Sequence, residues 1–154
     1  MTTHTYRSTL AWHGTTGTGY DAYDRTHRVA LVPVQEDLVL SSDPAFLGDP
    51  GLANPEQLLL AAASSCQLLS FLAVAAKARI DVVEYRDEAE AIMPEEEKPM
   101  RITRIVLRPR IVVAGANAER VSRLVALAHE QCFIANSLSA EIAIEPTIEE
   151  RAAA

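Results

Sequence analysis

The chain has 154 residues, of which 49% are hydrophobic and 23% are charged, and its formal net charge is -7. This length allows one domain with a core, and the hydrophobic content excludes a disordered chain. The acidic balance argues against a nucleic-acid-binding protein, because phosphate contacts need a positive surface. Residues 1–7 lack the apolar run of a signal peptide, so we expect a cytoplasmic protein with a single domain over residues 1–154.

Three strands are predicted before the first helix. Alternating side chains and β-branched residues place them at residues 5–12, 28–34 and 38–40, and Pro33 indicates that the second strand lies at a sheet edge. Glycine and proline mark the loops at residues 14–19 and 43–51.

A long helix is predicted to begin after Asn54. Asn54 can accept from the free N–H groups of the first turn, Pro55 suits the first helical position, and Gln57 completes a capping box. We expect this helix to run to about Ala78.

Residues 57–76 carry no charge and are long enough to span a bilayer. Several polar residues in this stretch argue against a membrane span, so we expect protein around most of the helix instead. A small domain seldom encloses one helix so fully. This favours a dimer with the helix in a shared core.

The second half of the chain predicts more strands and one more helix. Residues 81–92 and 102–113 read as a strand pair, Asn117 caps a helix reaching Cys132, and residues 141–148 alternate as a last strand. The inward-facing residues are predicted to be Ile105, Leu107, Ile111, Val113, Ile142, Ile144 and Ile148. The fold class is therefore α+β, with antiparallel strands and two main helices.

The two cysteines, Cys66 and Cys132, fall on the two predicted helices. Two buried thiols in a reducing compartment indicate a redox-active dithiol, although two inert core cysteines remain the alternative. Cys66 lies far from its helix N-terminus, so its thiolate needs another source of positive charge. Cys132 lies at a helix C-terminus, where the dipole raises a thiol pKa. We therefore expect Cys66 to attack and Cys132 to resolve.

A metal site is the other chemistry these residues allow. His129 and Cys132 are three apart on one helix face, and Cys66 could add a third ligand. Structural zinc needs four ligands and no second pair is visible, so we expect neither a metal nor a cofactor.

Two segments resemble a known family. Asn54-Pro-Glu-Gln-Leu with a cysteine ten residues after Glu56, and Ala128-His-Glu-Gln-Cys-Phe-Ile-Ala-Asn-Ser-Leu138, are similar to the cysteine motifs of the OsmC/Ohr family of thiol-dependent hydroperoxide reductases. The opening loop differs from that of the organic hydroperoxide resistance proteins, so the chain looks like a general OsmC-like branch.

The resemblance implies an intertwined homodimer that reduces organic hydroperoxides. Cys66 would be the peroxidatic cysteine, and Cys132 would resolve its sulfenic acid as a disulfide. An external dithiol, often lipoyl-type in this family, would reduce that disulfide. Glu56 would match the active-site glutamate. Arg25 is the candidate for the thiolate-holding arginine, with Arg28 and Arg7 as rivals.

Helix geometry constrains the role of Glu56. Ten residues of α-helix rise roughly 15 Å, so Glu56 cannot touch Cys66 of the same unbroken helix. We expect the glutamate of one protomer to serve the thiol of its partner, with Arg25 between them.

The alternative function is a binding module. In that case an OsmC-like dimer holds an apolar ligand or senses redox state without significant peroxidase activity.

Overall fold

A computed structural model describes residues 1–152 of the chain. The backbone divides into two compact units, Met1–Leu58 and Leu59–Ala154. The single domain expected over residues 1–154 stays a prediction.

The N-terminal unit contains a three-stranded antiparallel sheet in the order β1-β2-β3. Its strands are β1 (Arg7–Ala11), β2 (His27–Val32) and β3 (Leu38–Leu40), close to the predicted bounds. The prediction that Pro33 marks an edge strand is wrong, because β2 is the central strand. It ends at Val32, so the missing N–H of Pro33 falls outside the ladder.

Helix α1 (Pro55–Lys77) begins where the capping pattern predicted. The Asn54 side chain accepts from the Gln57 N–H at 2.9 Å, and the Gln57 side chain accepts from the Asn54 N–H at 3.1 Å. This reciprocal pair is the capping box, and it satisfies two donors that the first turn leaves free.

Only one face of α1 is buried by the chain itself. The buried residues recur at helical spacing and are Ala63, Gln67, Phe71, Val74 and Ala75. A single chain therefore leaves much of the helix uncovered, since Leu69 is 63% and Leu72 38% exposed, and the expectation that a second protomer covers the rest stays a prediction. By length and composition alone α1 could cross a membrane: its most apolar window has a mean hydropathy of 2.0 and is 28% buried.

The strand pair predicted at residues 81–92 and 102–113 is present, but each strand is interrupted once. Pro109 has no N–H to donate, and the Arg108 N–H donates to the Asp87 carboxylate at 2.7 Å instead of to a strand. The resulting strands are β4 (Asp81–Asp87), β5 (Glu90–Ile92), β6 (Arg104–Leu107) and β7 (Pro109–Ala114). Strand β4 pairs with β7, and β5 with β6, both antiparallel as expected.

Each of the last two strands pairs in parallel with a strand from the middle of the chain. Helix α2 (Ala118–Glu130) connects the central strands to β8 (Glu141–Ile144), which pairs with β6, and to β9 (Thr147–Arg151), which pairs with β7. A parallel pair needs such a crossover connection. The α+β class with two main helices is confirmed, but the two sheets of the second unit are mixed and not purely antiparallel.

The core of the second unit lies on the inner face of these strands. Ile105, Leu107, Ile111 and Val113 are at most 1% exposed, as their alternation predicted. Helix α2 adds Val121, Val125 and Ala128 to one cluster, which also includes Phe71 of α1. The predicted inward residues of the last strands, Ile142, Ile144 and Ile148, pack against these clusters.

The cap of α2 provides a test of the second unit. The Asn117 side chain accepts from the Arg120 N–H at 3.1 Å. We expect Asn117→Ala to destabilise the protein by about 1 kcal/mol. In a chain of this size that corresponds to a fall in melting temperature of about 2–4 °C.

Thermal unfolding followed by circular dichroism checks this value. Asn117→Ser is the matched control, because serine keeps a capping oxygen and should retain most of the stability. An alanine variant as stable as the wild type would show that this cap contributes nothing.

Candidate active site

Cys66 lies near the middle of α1, and its neighbour Gln67 fixes the helix against α2. Gln67 is 1% exposed, and its Nε2 donates to the Val125 carbonyl at 3.3 Å. Phe71, one turn further along, is fully buried beside Val121 and Ala128. These contacts hold the Cys66 side chain, which is half-buried, at the end of α2.

Cys132 lies two residues beyond the end of α2, in a turn of residues 131–138 that we call the cysteine turn. Helix α2 ends at Glu130, so Cys132 lies just beyond the helix that was predicted to contain it. Its thiol is free and 1% exposed. The turn continues through a short 3-10 segment, Ala135–Ser137.

The cysteine turn brings hydrogen-bond donors to Cys66. The Ile134 N–H donates to the Cys66 Sγ at 3.5 Å. Burial opposes ionisation of Cys66, but hydrogen bonds from the Ile134 N–H, the Cys132 thiol, the Phe133 N–H and the Ser70 hydroxyl outweigh it and lower the pKa of Cys66. These donors stabilise the Cys66 thiolate, which lies too far from the N-terminus of α1 to be stabilised by the helix dipole.

The Cys132 thiol is shifted in the opposite direction. Burial raises the pKa of Cys132, and the neighbouring Cys66 adds to this rise by accepting its proton in a hydrogen bond and by its negative charge when ionised. The two thiols are therefore in contact and differ in acidity. Cys66 is the more acidic thiol, and the Cys132 thiol donates to its sulfur, which is the order expected for attacker and resolver.

A groove of about 320 Å³ opens at Cys66. It follows α1 towards the C-terminus, and Phe133 of the cysteine turn, which is 82% exposed, forms part of its wall. Lys77 is the one charged residue of its lining, which consists of Cys66, Leu69, Ser70, Ala73, Val74, Lys77, Gln131 and Phe133. An apolar molecule can therefore reach the more acidic thiol.

Glu56 lies in the first turn of α1, half-buried. Helix α1 is continuous over its 23 residues, so the rise of roughly 15 Å between Glu56 and Cys66 holds within one chain. Its predicted role across a dimer stays a prediction.

Arg25 lies in the loop before β2 and is held by its own neighbours. Its guanidinium stacks on the Tyr23 ring at 3.9 Å and lies 5.0 Å from the centre of the Tyr20 ring. The same group donates to the Tyr23 and Tyr20 carbonyls at 2.8 and 2.7 Å. Arg7 and Arg28, its rivals for the thiolate, are exposed on β1 and β2. Which of the three serves Cys66 stays a prediction.

A metal centre finds no support in the described part of the chain. Within residues 1–152 no group of three or more histidine, cysteine, aspartate or glutamate side chains is arranged to hold an ion. His129 and Cys132 therefore lack the further ligands that zinc would need.

Sequence reasoning missed the backbone donors of the cysteine turn and the hydroxyl of Ser70. Ser70 could have been found, because it lies four residues after Cys66 on the same helix face. The Phe133 and Ile134 N–H groups carry no side-chain signal. Only the polar pair Asn136-Ser137, which is typical of a structured turn, pointed to this segment.

The opposite pKa shifts predict which thiol is alkylated first. Near neutral pH we expect iodoacetamide to modify Cys66 well before Cys132, because the thiolate is the nucleophile, the pKa of Cys66 is lowered, and Cys132 is buried with its pKa raised. Peptide mass spectrometry after short exposure measures the order. Modification of Cys132 first, or of both at equal rates, would contradict the assignment. The control is urea-unfolded protein, in which both cysteines should react alike.

Comparisons with known proteins identify the family of this chain. The family model described as OsmC-like protein matches residues 48–147, a stretch that contains both cysteines. The structure is similar to that of an OsmC-like protein of unknown function from Vibrio cholerae, with 30% sequence identity and a TM-score of 0.83 over 94% of this chain and 100% of that one. No curated protein matches the sequence at a significant level.

More distant structures share the fold. An organic hydroperoxide resistance protein OsmC from Legionella pneumophila is 19% identical, with a TM-score of 0.67 over 97% of this chain and 99% of that one. An organic hydroperoxide resistance protein from Elizabethkingia anophelis is 20% identical, with a TM-score of 0.68 over the same shares. The match to the family model over most of the chain, carried by a fold common to all three structures, establishes that this protein belongs to the OsmC-like family.

Proposed function

We propose that this protein is a thiol-dependent peroxidase that reduces organic hydroperoxides. Membership of the OsmC-like family supports a peroxide-related redox function in general. The observation that carries the specific proposal is the contact between two free thiols of opposite pKa shift. A half-buried thiolate beside a buried resolving thiol is the arrangement that two-cysteine peroxide chemistry requires.

The reaction proceeds in two steps on this chain. The Cys66 thiolate attacks the terminal oxygen of the hydroperoxide, the O–O bond breaks, and the alkoxide leaves as an alcohol after taking a proton. Cys66 is oxidised to a sulfenic acid. Cys132 then attacks the Cys66 sulfur, and a disulfide forms as water leaves.

A third step regenerates the enzyme. An external dithiol, for which a lipoyl-type group is the family precedent, reduces the disulfide and becomes a disulfide itself. This completes the turnover without a resident metal or cofactor.

The groove supports an organic substrate over hydrogen peroxide. Its walls are mainly apolar, and they meet the thiolate at one end. An alkyl or aryl hydroperoxide gains from the burial of apolar surface there, whereas hydrogen peroxide does not.

Oxidation of the reduced protein tests the chemistry. With one equivalent of cumene hydroperoxide we expect the intact mass to fall by about 2 Da as both thiols are lost. Hydrogen peroxide should act more slowly. Cys66→Ser should consume no peroxide, and Cys132→Ser should consume it once and stop at a sulfenic acid, about 16 Da heavier, which dimedone traps. Ser122→Ala, at an exposed position on α2, is the matched control and should behave as wild type.

Two outcomes would contradict the proposal. One is free thiols after minutes of exposure to cumene hydroperoxide. The other is full turnover by Cys66→Ser.

The second candidate function is an OsmC-like binding or redox-sensing module. A cavity of about 430 Å³ in the N-terminal unit favours it, since Leu10, Trp12, Tyr23 and Arg25 are among its lining residues. In that case the binding of an apolar ligand would be unchanged in Cys66→Ser, and the protein would form no disulfide on exposure to peroxide. The oxidation experiment therefore separates the two functions.

We also propose that the working form is a cytoplasmic homodimer. Helix α1 presents an apolar, uncharged face that the chain leaves exposed, formed by Ala62, Ser65, Leu69, Leu72 and Ala76. A monomeric soluble protein rarely exposes such a stripe, and a second copy of α1 would cover it. In this dimer Glu56 of one protomer serves the thiol of its partner.

A charge placed on this stripe tests the dimer. Leu72 is 38% exposed on α1, and Leu127 is 40% exposed on α2, so they form a matched pair. We expect the wild type and Leu127→Glu to elute as dimers in light-scattering chromatography, and Leu72→Glu to elute as a monomer, because an unpaired carboxylate is costly to bury. A monomeric wild type at micromolar concentration would overturn the proposal.

A further inference from the structure

We propose that Asn136 and Ser137 are positioning residues that aim two backbone N–H groups of the cysteine turn at the Cys66 sulfur. Neither side chain touches Cys66. They act by holding the carbonyl oxygens of the two peptide units whose N–H groups face it.

The first unit is the peptide between Cys132 and Phe133. The Asn136 Nδ2 donates to the Cys132 carbonyl at 2.9 Å, and the Asn136 N–H donates to the same oxygen at 3.0 Å. In a planar trans peptide the carbonyl and the N–H point in opposite directions. Holding the Cys132 carbonyl on the side of Asn136 therefore directs the Phe133 N–H to the other side, where Cys66 lies.

The second unit is the peptide between Phe133 and Ile134. The Ser137 hydroxyl donates to the Phe133 carbonyl at 2.7 Å. The N–H of this peptide unit belongs to Ile134, and the Ile134 nitrogen lies 3.5 Å from the Cys66 Sγ. The same planarity argument applies, so Ser137 sets the direction of this second donor.

Asn136 also ties the turn to α2. Its Nδ2 donates to the Glu130 carbonyl at 3.0 Å, one of the last-turn carbonyls that a helix leaves without a partner. The carboxamide thus joins the end of α2, the resolving cysteine and the donors to the thiolate. An asparagine is needed, because an aspartate of the same shape cannot donate to a carbonyl.

Both residues are exposed, so their replacement removes hydrogen bonds and creates no core cavity. This separates the proposed role from packing. The proposed role also differs from a helix-capping role. Loss of a helix cap would change the stability of the protein and leave the acidity of Cys66 unaltered.

The pH dependence of Cys66 alkylation tests this role. Cys132→Ser serves as the background, because serine keeps a hydroxyl donor beside Cys66 while removing the second thiol. The other groups around the site, Lys77 of the groove and the Tyr85 and Asp87 side chains of β4, are the same in every variant. The rate of iodoacetamide labelling, followed by mass spectrometry, gives the pKa of Cys66.

We expect Asn136→Leu and Ser137→Ala each to raise the pKa of Cys66 by about half a unit, and the double variant by about one unit. Half a pKa unit corresponds to about 0.7 kcal/mol, at about 1.4 kcal/mol per unit, which is within the range of a single hydrogen bond. Ser137→Thr, which keeps the hydroxyl, should restore the wild-type value. Ser139→Ala, just beyond the turn, is the control and should change nothing.

An unchanged pKa in the double variant, with the fold intact by circular dichroism, would overturn the proposal. So would an equal rise in Ser139→Ala. If Asn136→Leu fails to fold, Ser137→Ala alone decides. Alkylation needs no peroxide, so this test can succeed or fail independently of the proposed peroxidase activity.

Discussion

The packing of α1 against α2 is the interaction on which the thiol site depends. Phe71 and Ala128 are fully buried in one cluster, and Gln67 adds a hydrogen bond to the α2 backbone in that same interface. Because Cys66 is adjacent to Gln67 and Cys132 follows the end of α2, a shift of one helix along the other would separate the thiols. The proximity of the two thiols is thus a consequence of helix packing and not of a local motif alone.

Much of the fold could be predicted from the sequence, because local signals carried it. The capping box at Asn54 and the cap at Asn117 located both helices, and the alternation in residues 102–113 identified the core face. The parallel pairing of β8 and β9 could not be predicted in this way. An alternating strand has the same pattern whether its neighbour is parallel or antiparallel. The break at Pro109 also depends on Asp87, a residue of another strand, which accepts the displaced N–H.

The site, like the fold, has features that the sequence predicts and features that depend on tertiary structure. Side chains with distinctive chemistry, Cys66 and Cys132, were visible in the sequence, and the predicted directions of their acidity agree with the pKa shifts, although burial and not the expected helix dipole raises the pKa of Cys132. The sequence led us to expect a positive charge that stabilises the Cys66 thiolate. Within the second unit, hydrogen-bond donors lower the pKa of Cys66, and two of them are backbone N–H groups. Such donors are common to every residue except proline, so only tertiary structure can indicate which of them are aimed at a sulfur atom.

The parallel strands also determine when the site is complete. During synthesis Cys66 leaves the ribosome long before residues 131–138, and β8 and β9, which follow that turn, are the last strands to join β6 and β7. Until then α1 carries a thiol without its backbone donors and with a more ordinary acidity. In a nascent or truncated chain, therefore, the groups that lower the pKa of this thiol are not in place until the C-terminal strands have joined the sheets.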